Sequence, residues 1–198
     1  LSLVKAMDAW INGVRSMVMA CIILVLAWTI GDVCTDMKTA EYIVDLTSGF
    51  LTPALLPAVT FITASIISFS TGSSWATMSI LVPVTVPMSI QLLGGEGNQV
   101  VQDPIFLSTF AGVLSGSVFG DHCSPISDTT VLSSTATGSD HIDHVRTQLP
   151  YAVISGVVAL LAGYIFTGLG ITLIVSLSVG LILVTGVLRI FGKPILHE

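Results

Sequence analysis

Residues 104–137 read PIFLSTFAGVLSGSVFGDHCSPISDTTVLSSTAT, and this stretch decides the class of fold. It begins with an apolar run that contains glycines and ends with a run of small and apolar residues. Between the two runs lies a polar insertion that starts at Gly120 and holds two carboxylates, Asp121 and Asp128. About 20 predominantly apolar residues span a bilayer as a helix. The pattern therefore predicts a membrane helix that is interrupted within its length.

The composition of the whole chain also indicates a membrane protein. The 198 residues are 53% hydrophobic and only 9% charged, with a mean hydropathy of +0.94, whereas soluble domains carry about 25% charged residues. Residues 46–95 and 147–188 contain no charged side chain. The net charge of −6 excludes nucleic acid as a partner, because the basic surface that binds phosphates is missing.

The apolar runs predict an all-α polytopic membrane protein, a bundle of transmembrane helices of which two are interrupted or re-entrant. The predicted segments are a spanning helix over 16–35, an interrupted helix pair or hairpin over 50–93, an interrupted helix over 104–137, and a transmembrane hairpin of 150–168 and 171–188. Residues 139–146 are expected to form a polar loop. The chain starts at Leu1 without an initiator methionine, which indicates either a trimmed sequence or the C-terminal piece of a longer protein, and we expect the second.

Two polar interruptions are predicted at membrane depth, one at 70–77 and one at 120–127. Irregular backbone survives there only when it is buried in protein or lines a watery cavity. Paired interrupted segments are the best sequence indication of the binding site of a secondary transporter, which is often built from inverted repeats. We therefore expect the ion site at these two interruptions.

The second interruption has the better-defined chemistry. Ser124 followed by Pro125 predicts an N-cap and the first residue of a new half-helix, with Asp128 in its first turn. A charged side chain inside a bilayer costs roughly 2.5–3.5 kcal/mol or more, so intramembrane carboxylates are functional candidates. Hydroxyls surround the two carboxylates, and such hard oxygen donors suit Na⁺ better than zinc; they belong to Ser124, Ser127, Thr129 and Thr130.

Each feature also has a plainer interpretation. Asp121 and Asp128 could be solvated loop residues, and 71–77 could be a turn between two complete helices. The His122–Cys123 pair has no partner pair at metal-ligand spacing, which favours a structural role. His141 and His144 are either interfacial or pH-sensing. The four-residue spacing of three glycines favours helix packing; they are Gly112, Gly116 and Gly120.

Motifs of enzymes are missing from the sequence. It contains no P-loop, no zinc-protease signature and no nucleophile elbow. We therefore expect no enzymatic activity and no cofactor, and an ion gradient as the source of energy.

The stretch 120–152, GDHCSPISDTTVLSSTATGSDHIDHVRTQLPYA, closely resembles the signature of the NhaC-type sodium/proton antiporter family. The stretches 26–31, LAWTIG, and 70–77, STGSSWAT, are also similar to that family. Asp32 departs from the resemblance, which leads us to expect an apolar or small residue there, and its role stays open. The resemblance implies exchange of Na⁺ for H⁺ across a bacterial cytoplasmic membrane, by a transporter whose N-terminal half precedes this chain. Organic-anion exchangers of the malate/lactate type belong to the same family and remain an alternative.

A carboxylate that binds either Na⁺ or a proton couples the two ions by competition. Partial burial favours the protonated form of such a group, and a helix N-terminus favours the ionised form. We expect Asp128 to be the exchange carboxylate and Asp121 to be its partner or a gate residue, so that Na⁺ binds at both. The expected oxygen ligands are Ser124, Ser127, Thr129, Ser73 and Ser74. A non-transporting membrane subunit is the second alternative, and a homodimer is left open.

Overall fold

The computed structural model describes residues 2–38, 42, 52–94 and 97–192. All regular secondary structure in these ranges is helical, and no strand occurs within them. The prediction of an all-α membrane protein is confirmed. The helices of ten or more residues, in chain order, are α1 (Leu3–Asp36), α2 (Leu56–Thr71, preceded by the 3₁₀ turn Pro53–Leu55), α3 (Ser74–Leu93), α4 (Pro104–Cys123), α5 (Asp128–Thr137), α6 (His141–Gly168) and α7 (Leu173–Phe191). A one-turn helix, Gly97–Val100, lies between α3 and α4.

Four helices of the described part are long and apolar enough to cross a membrane. They are α2 together with its 3₁₀ turn, α3, α6 and α7. The surface of α7 is apolar, with Ile174 78% and Ile190 76% exposed. Exposed apolar side chains on this scale fit contact with lipid. The chain is therefore a multi-pass membrane protein.

The α2–α4 pair forms the centre of the structure, and glycines on α4 allow the close approach. A Cβ atom at Gly112 would lie 2.8 Å from the Pro57 carbonyl oxygen, and one at Gly116 would collide with the Phe61 carbonyl oxygen. One turn further on, Gly120 lies against the Ser65 carbonyl oxygen in the same way. The prediction that these glycines serve helix packing is confirmed. The close contact fixes the end of α4, where Asp121 lies.

The helix α6 packs on this centre and differs from its prediction. It starts at His141, so the residues predicted as a polar loop form its first turns, and Asp140 caps them by accepting from Ile142 N at 2.9 Å. The expectation of a loop was wrong for residues 141–146, because a cap such as Asp140 allows charged residues to form the first turns of a helix. Residues Ala159–Ile165 are π-helical. Tyr164 from this segment hydrogen-bonds Ser115 of α4 and stacks on Phe61 of α2.

Candidate functional site

The first interruption is a two-residue break between α2 and α3. Gly72 ends α2 in the left-handed conformation, with φ at +65°, and its N–H donates to the Ser68 carbonyl oxygen at 2.8 Å. Ser73 then caps α3, since its hydroxyl oxygen accepts from Ala76 N at 3.3 Å. The left-handed conformation is unfavourable for residues with a side chain, and glycine adopts it without that steric penalty. Within the polar stretch 70–77, only two residues thus separate the C-terminus of α2 from the N-terminus of α3.

The second interruption corrects the sequence interpretation. The helix α4 continues to Cys123, and Ser124 is its C-cap, with an N–H that donates to the Asp121 carbonyl oxygen at 3.0 Å. The new helix α5 begins at Asp128 rather than at Pro125. The predicted N-cap at Ser124 was wrong because a proline is equally common just after a helix C-cap. Asp128 does lie in the first turn of α5, as predicted.

The two breaks lie against each other. A Cβ atom at Gly72 would be 3.0 Å from the carbonyl carbon and the carbonyl oxygen of Ile126. Residues 72–73 and 124–127 therefore form one site between four helix ends, those of α2, α3, α4 and α5.

One carboxylate joins the two breaks. Asp121 is 7% exposed. Its Oδ1 accepts from the Ser127 hydroxyl at 2.5 Å, and its Oδ2 accepts from the Ser74 hydroxyl at 3.0 Å. Ser127 is fully buried, and its Oγ also lies 2.8 Å from Thr129 Oγ1. A carboxylate offers about four acceptor positions, so these two hydroxyls leave positions on the same group for a further ligand.

Of the predicted site residues, the structure brings together Asp121, Ser74, Ser127 and Thr129. It does not bring Asp128 to them: that side chain is exposed, and no hydrogen bond joins it to the cluster among the described residues. Ser73 serves as the cap of α3. Ser124 is buried, with its hydroxyl oxygen 3.4 Å from Ile126 N. The side chain of Asp32 lies outside the described residues.

Sequence reasoning missed Ser117 and the hydroxyls around it. Ser117 is fully buried one turn before Asp121, and its hydroxyl has no partner among the described groups. Its carbonyl oxygen accepts from the Ser68 hydroxyl of α2 at 2.6 Å. The signal was available, because residues four apart share one face of a helix. Ser117 therefore supplies a buried oxygen on the face of α4 that carries Asp121.

The donor set around Asp121 consists of oxygen atoms. Within the described ranges, no group of three or more His, Cys, Asp or Glu side chains is placed to hold a metal ion. One carboxylate with several hydroxyls suits a hard cation and differs from the donor set of a transition-metal centre.

The sequence model of the Na⁺/H⁺ antiporter family matches residues 1–169 of the chain. An uncharacterised protein of Haemophilus influenzae is 40% identical over 168 residues, which cover 85% of this chain and 30% of that protein. The malate-2H⁺/Na⁺-lactate antiporter of Bacillus subtilis is 35% identical over 63% of the chain and 25% of its own length. The Na⁺/H⁺ antiporter NhaC of Alkalihalophilus pseudofirmus is 28% identical over 79% of the chain and 32% of its own length.

The chain thus spans about a third or less of the length of these curated relatives. No solved structure matches it.

Proposed function

The chain belongs to the Na⁺/H⁺ antiporter family, and we propose that it forms part of a longer secondary transporter that exchanges Na⁺ for H⁺ across a bacterial cytoplasmic membrane. The match to the NhaC antiporter and the apolar helices support this proposal. In it, Asp121 is the group that binds either ion.

The observation that carries the proposal is the position of Asp121 between the two breaks. Its carboxylate accepts from a hydroxyl of each break, Ser74 from the first and Ser127 from the second. A buried ionised carboxylate is costly unless a cation or a proton neutralises it. A site with one such group therefore holds Na⁺ or H⁺ in turn, which is the condition for coupled exchange.

Na⁺ is the substrate, and the hydroxyls provide oxygen atoms for it. A serine hydroxyl that donates its hydrogen to Asp121 keeps two lone pairs. Ser74 and Ser127 can thus coordinate Na⁺ while their bonds to the carboxylate persist. Thr129 lies next to Ser127, and the unpartnered Ser117 hydroxyl is the further oxygen on this face. When a proton neutralises Asp121 instead, the charge that attracts Na⁺ is gone and the cation leaves.

The helix ends at the breaks support both states of the site. The C-termini of α2 and α4 carry partial negative charge, which favours a cation. The N-termini of α3 and α5 carry partial positive charge, which favours an ionised carboxylate. Paired half-helix ends of this kind surround substrate ions in secondary transporters.

The proposal exchanges the roles that the sequence suggested for the two aspartates. Asp121 is buried and holds both hydroxyl contacts, whereas Asp128 is exposed at the start of α5. We assign ion exchange to Asp121. Asp128 becomes the entry residue, which attracts Na⁺ to the site from its exposed position.

The experiment is transport by the full-length protein in proteoliposomes that contain a pH-sensitive dye. An imposed Na⁺ gradient is expected to drive H⁺ movement in the opposite direction, without any organic anion. A K⁺ gradient of the same size is the control. Transport that requires malate or lactate would instead support organic-anion exchange, the alternative that the similarity to the malate-2H⁺/Na⁺-lactate antiporter favours. Equal dye signals with Na⁺ and K⁺ would reject exchange specific for Na⁺, and a lack of signal with either gradient would favour a non-transporting subunit.

A further inference from the structure

His141, the first residue of α6, connects three segments next to the ion site. Its Nε2 lies 2.7 Å from the Pro125 carbonyl oxygen in the second break. Its Nδ1 lies 3.0 Å from the hydroxyl of Ser134, a residue of α5 that is 2% exposed. One half-buried ring thus binds the break to α5 and to the start of α6.

The two hydrogen-bond partners of His141 determine which ring nitrogen carries a hydrogen. A carbonyl oxygen only accepts, so Nε2 carries a hydrogen and donates it to Pro125. In the neutral ring Nδ1 then accepts from the Ser134 hydroxyl. In the charged ring Nδ1 donates to Ser134, whose own hydrogen turns to the Val131 carbonyl oxygen 2.9 Å away. The bond to Pro125 exists in either case.

The backbone N–H groups of Ile126 and Ser127 make only long hydrogen bonds within the second break, both at 3.4 Å. Ser127 N lies 3.4 Å from the Ser124 carbonyl oxygen, which is a long hydrogen bond. Ile126 is 65% exposed and has Gly72 on one side. The contact with His141 is at 2.7 Å and comes from a helix that Asp140 already caps. His141 is therefore not needed as the cap of α6, and its ring is available to hold the break.

We propose that His141 is a positioning residue for the ion site. Through the Pro125 carbonyl oxygen it holds residues 124–127 so that the Ser127 hydroxyl stays on Asp121. This inference rests on the proposed function, because it concerns the Na⁺ affinity of that site. Loss of the bond lets Ser127 move away from Asp121 and weakens Na⁺ binding, while the carboxylate remains.

Two substitutions separate the two bonds of the ring. The side-chain amide of Gln reaches the position of Nε2 in His, and that of Asn reaches the position of Nδ1. His141→Asn keeps a hydrogen-bond partner for Ser134 but loses the hydrogen bond to the Pro125 carbonyl oxygen. We expect the KM for Na⁺ to rise about tenfold, which is the equivalent of one lost hydrogen bond. His141→Gln keeps a donor for Pro125, and its KM should stay near the wild-type value. Vmax should change little in either variant.

The assay is Na⁺-driven H⁺ movement by the full-length protein, with His144→Asn as the matched control on the same helix. Ser134→Ala removes the other bond of the ring and should leave the KM unchanged. A Ser134→Ala effect as large as that of His141→Asn would overturn the inference. If His141→Asn does not fold, His141→Leu replaces it, because Leu also lacks the donor to the Pro125 carbonyl oxygen. Its KM should rise by the same factor, and an unchanged KM would contradict the inference.

Asp121→Asn in the same assay distinguishes failure of the proposed ion site from failure of the positioning role of His141. If Asp121→Asn is inactive and His141→Asn keeps the wild-type KM, the positioning role is wrong and the ion site stands. If Asp121→Asn transports like the wild type, the proposed ion site is wrong, and the role of His141 that depends on it is wrong as well.

Discussion

Gly72 packs directly on the backbone of Ile126, so the break between α2 and α3 lies against the break between α4 and α5. A Cβ atom at Gly72 would come within 3.0 Å of the Ile126 carbonyl group. Close contact between two unwound segments brings Ser74 of one to Asp121 beside the other. The ion site proposed here depends on this contact.

Gly72→Ala should destabilise the protein and reduce transport. The left-handed φ of +65° costs a side chain roughly 1–2 kcal/mol, and the new methyl group also pushes Ile126 away. Gly94→Ala is the matched control, since Gly94 has the same φ and its Cβ position has no atom of another described residue within 4 Å, chain neighbours aside. Thermal unfolding in detergent should show the larger loss for Gly72→Ala. Equal losses would mean that the contact with Ile126 contributes nothing.

Gly116→Ala should separate α2 from α4. The added methyl group collides with the Phe61 carbonyl oxygen and lies 2.9 Å from Ala64 Cβ, and such overpacking costs roughly 1–3 kcal/mol. In an open helix the same change stabilises by roughly 0.5–1 kcal/mol. Gly186→Ala on α7 is the control, because a Cβ atom there would have no described atom within 4 Å apart from the backbone of its own helix. Unfolding temperatures of the two variants should shift in opposite directions, and a stabilised Gly116→Ala would refute the packing described for α2 and α4.

Ser127→Ala should weaken Na⁺ binding without abolishing transport. The change removes the hydroxyl that donates to Asp121 at 2.5 Å, and a hydrogen bond to a charged group contributes about 1.5–3 kcal/mol. The KM for Na⁺ should therefore rise about tenfold or more. Ser133→Ala, at an exposed position of the same helix, is the control. An unchanged KM for Ser127→Ala would remove this hydroxyl from the site.

The KM for Na⁺ of the wild-type protein should depend on pH. Na⁺ binds to the ionised carboxylate, so protons compete with it and the KM rises as the pH falls. With one proton competing for each Na⁺, the rise approaches tenfold per pH unit in the pH range where the Na⁺-free carboxyl group is mostly protonated, and the KM is constant at higher pH. Initial rates at equal pH on both sides of the membrane measure it. A pH dependence confined to Vmax would argue against competition at one group.

The sequence predicted the class of fold and both breaks because those signals are local. Long runs without charged residues predict the membrane helices, and Gly72 and Pro125 indicate where helices end. Ser74, Ser127 and Asp121 were all identified as candidates for the same reason. A polar side chain in an apolar run is visible without any knowledge of its neighbours.

The sequence did not show that Asp121 is buried and Asp128 exposed. Which of them is buried depends on where α4 ends and where α5 begins, and a serine followed by proline fits either a helix end or a helix start. The helix α4 runs to Cys123 and α5 begins only at Asp128, whose side chain is exposed. The role of His141 was equally hidden, because its partners Ser134 and Pro125 are seven and sixteen residues away.

The most direct test compares Asp121→Asn with Asp128→Asn in the full-length protein. Asn keeps the size of Asp and its capacity for hydrogen bonds but carries no charge. Na⁺-driven H⁺ movement in proteoliposomes should be abolished by Asp121→Asn at normal expression, and Asp128→Asn should retain transport with a raised KM for Na⁺. An Asp121→Asn protein that transports at the wild-type rate with the wild-type pH dependence, beside an inactive Asp128→Asn, would contradict the account and place the exchange at Asp128.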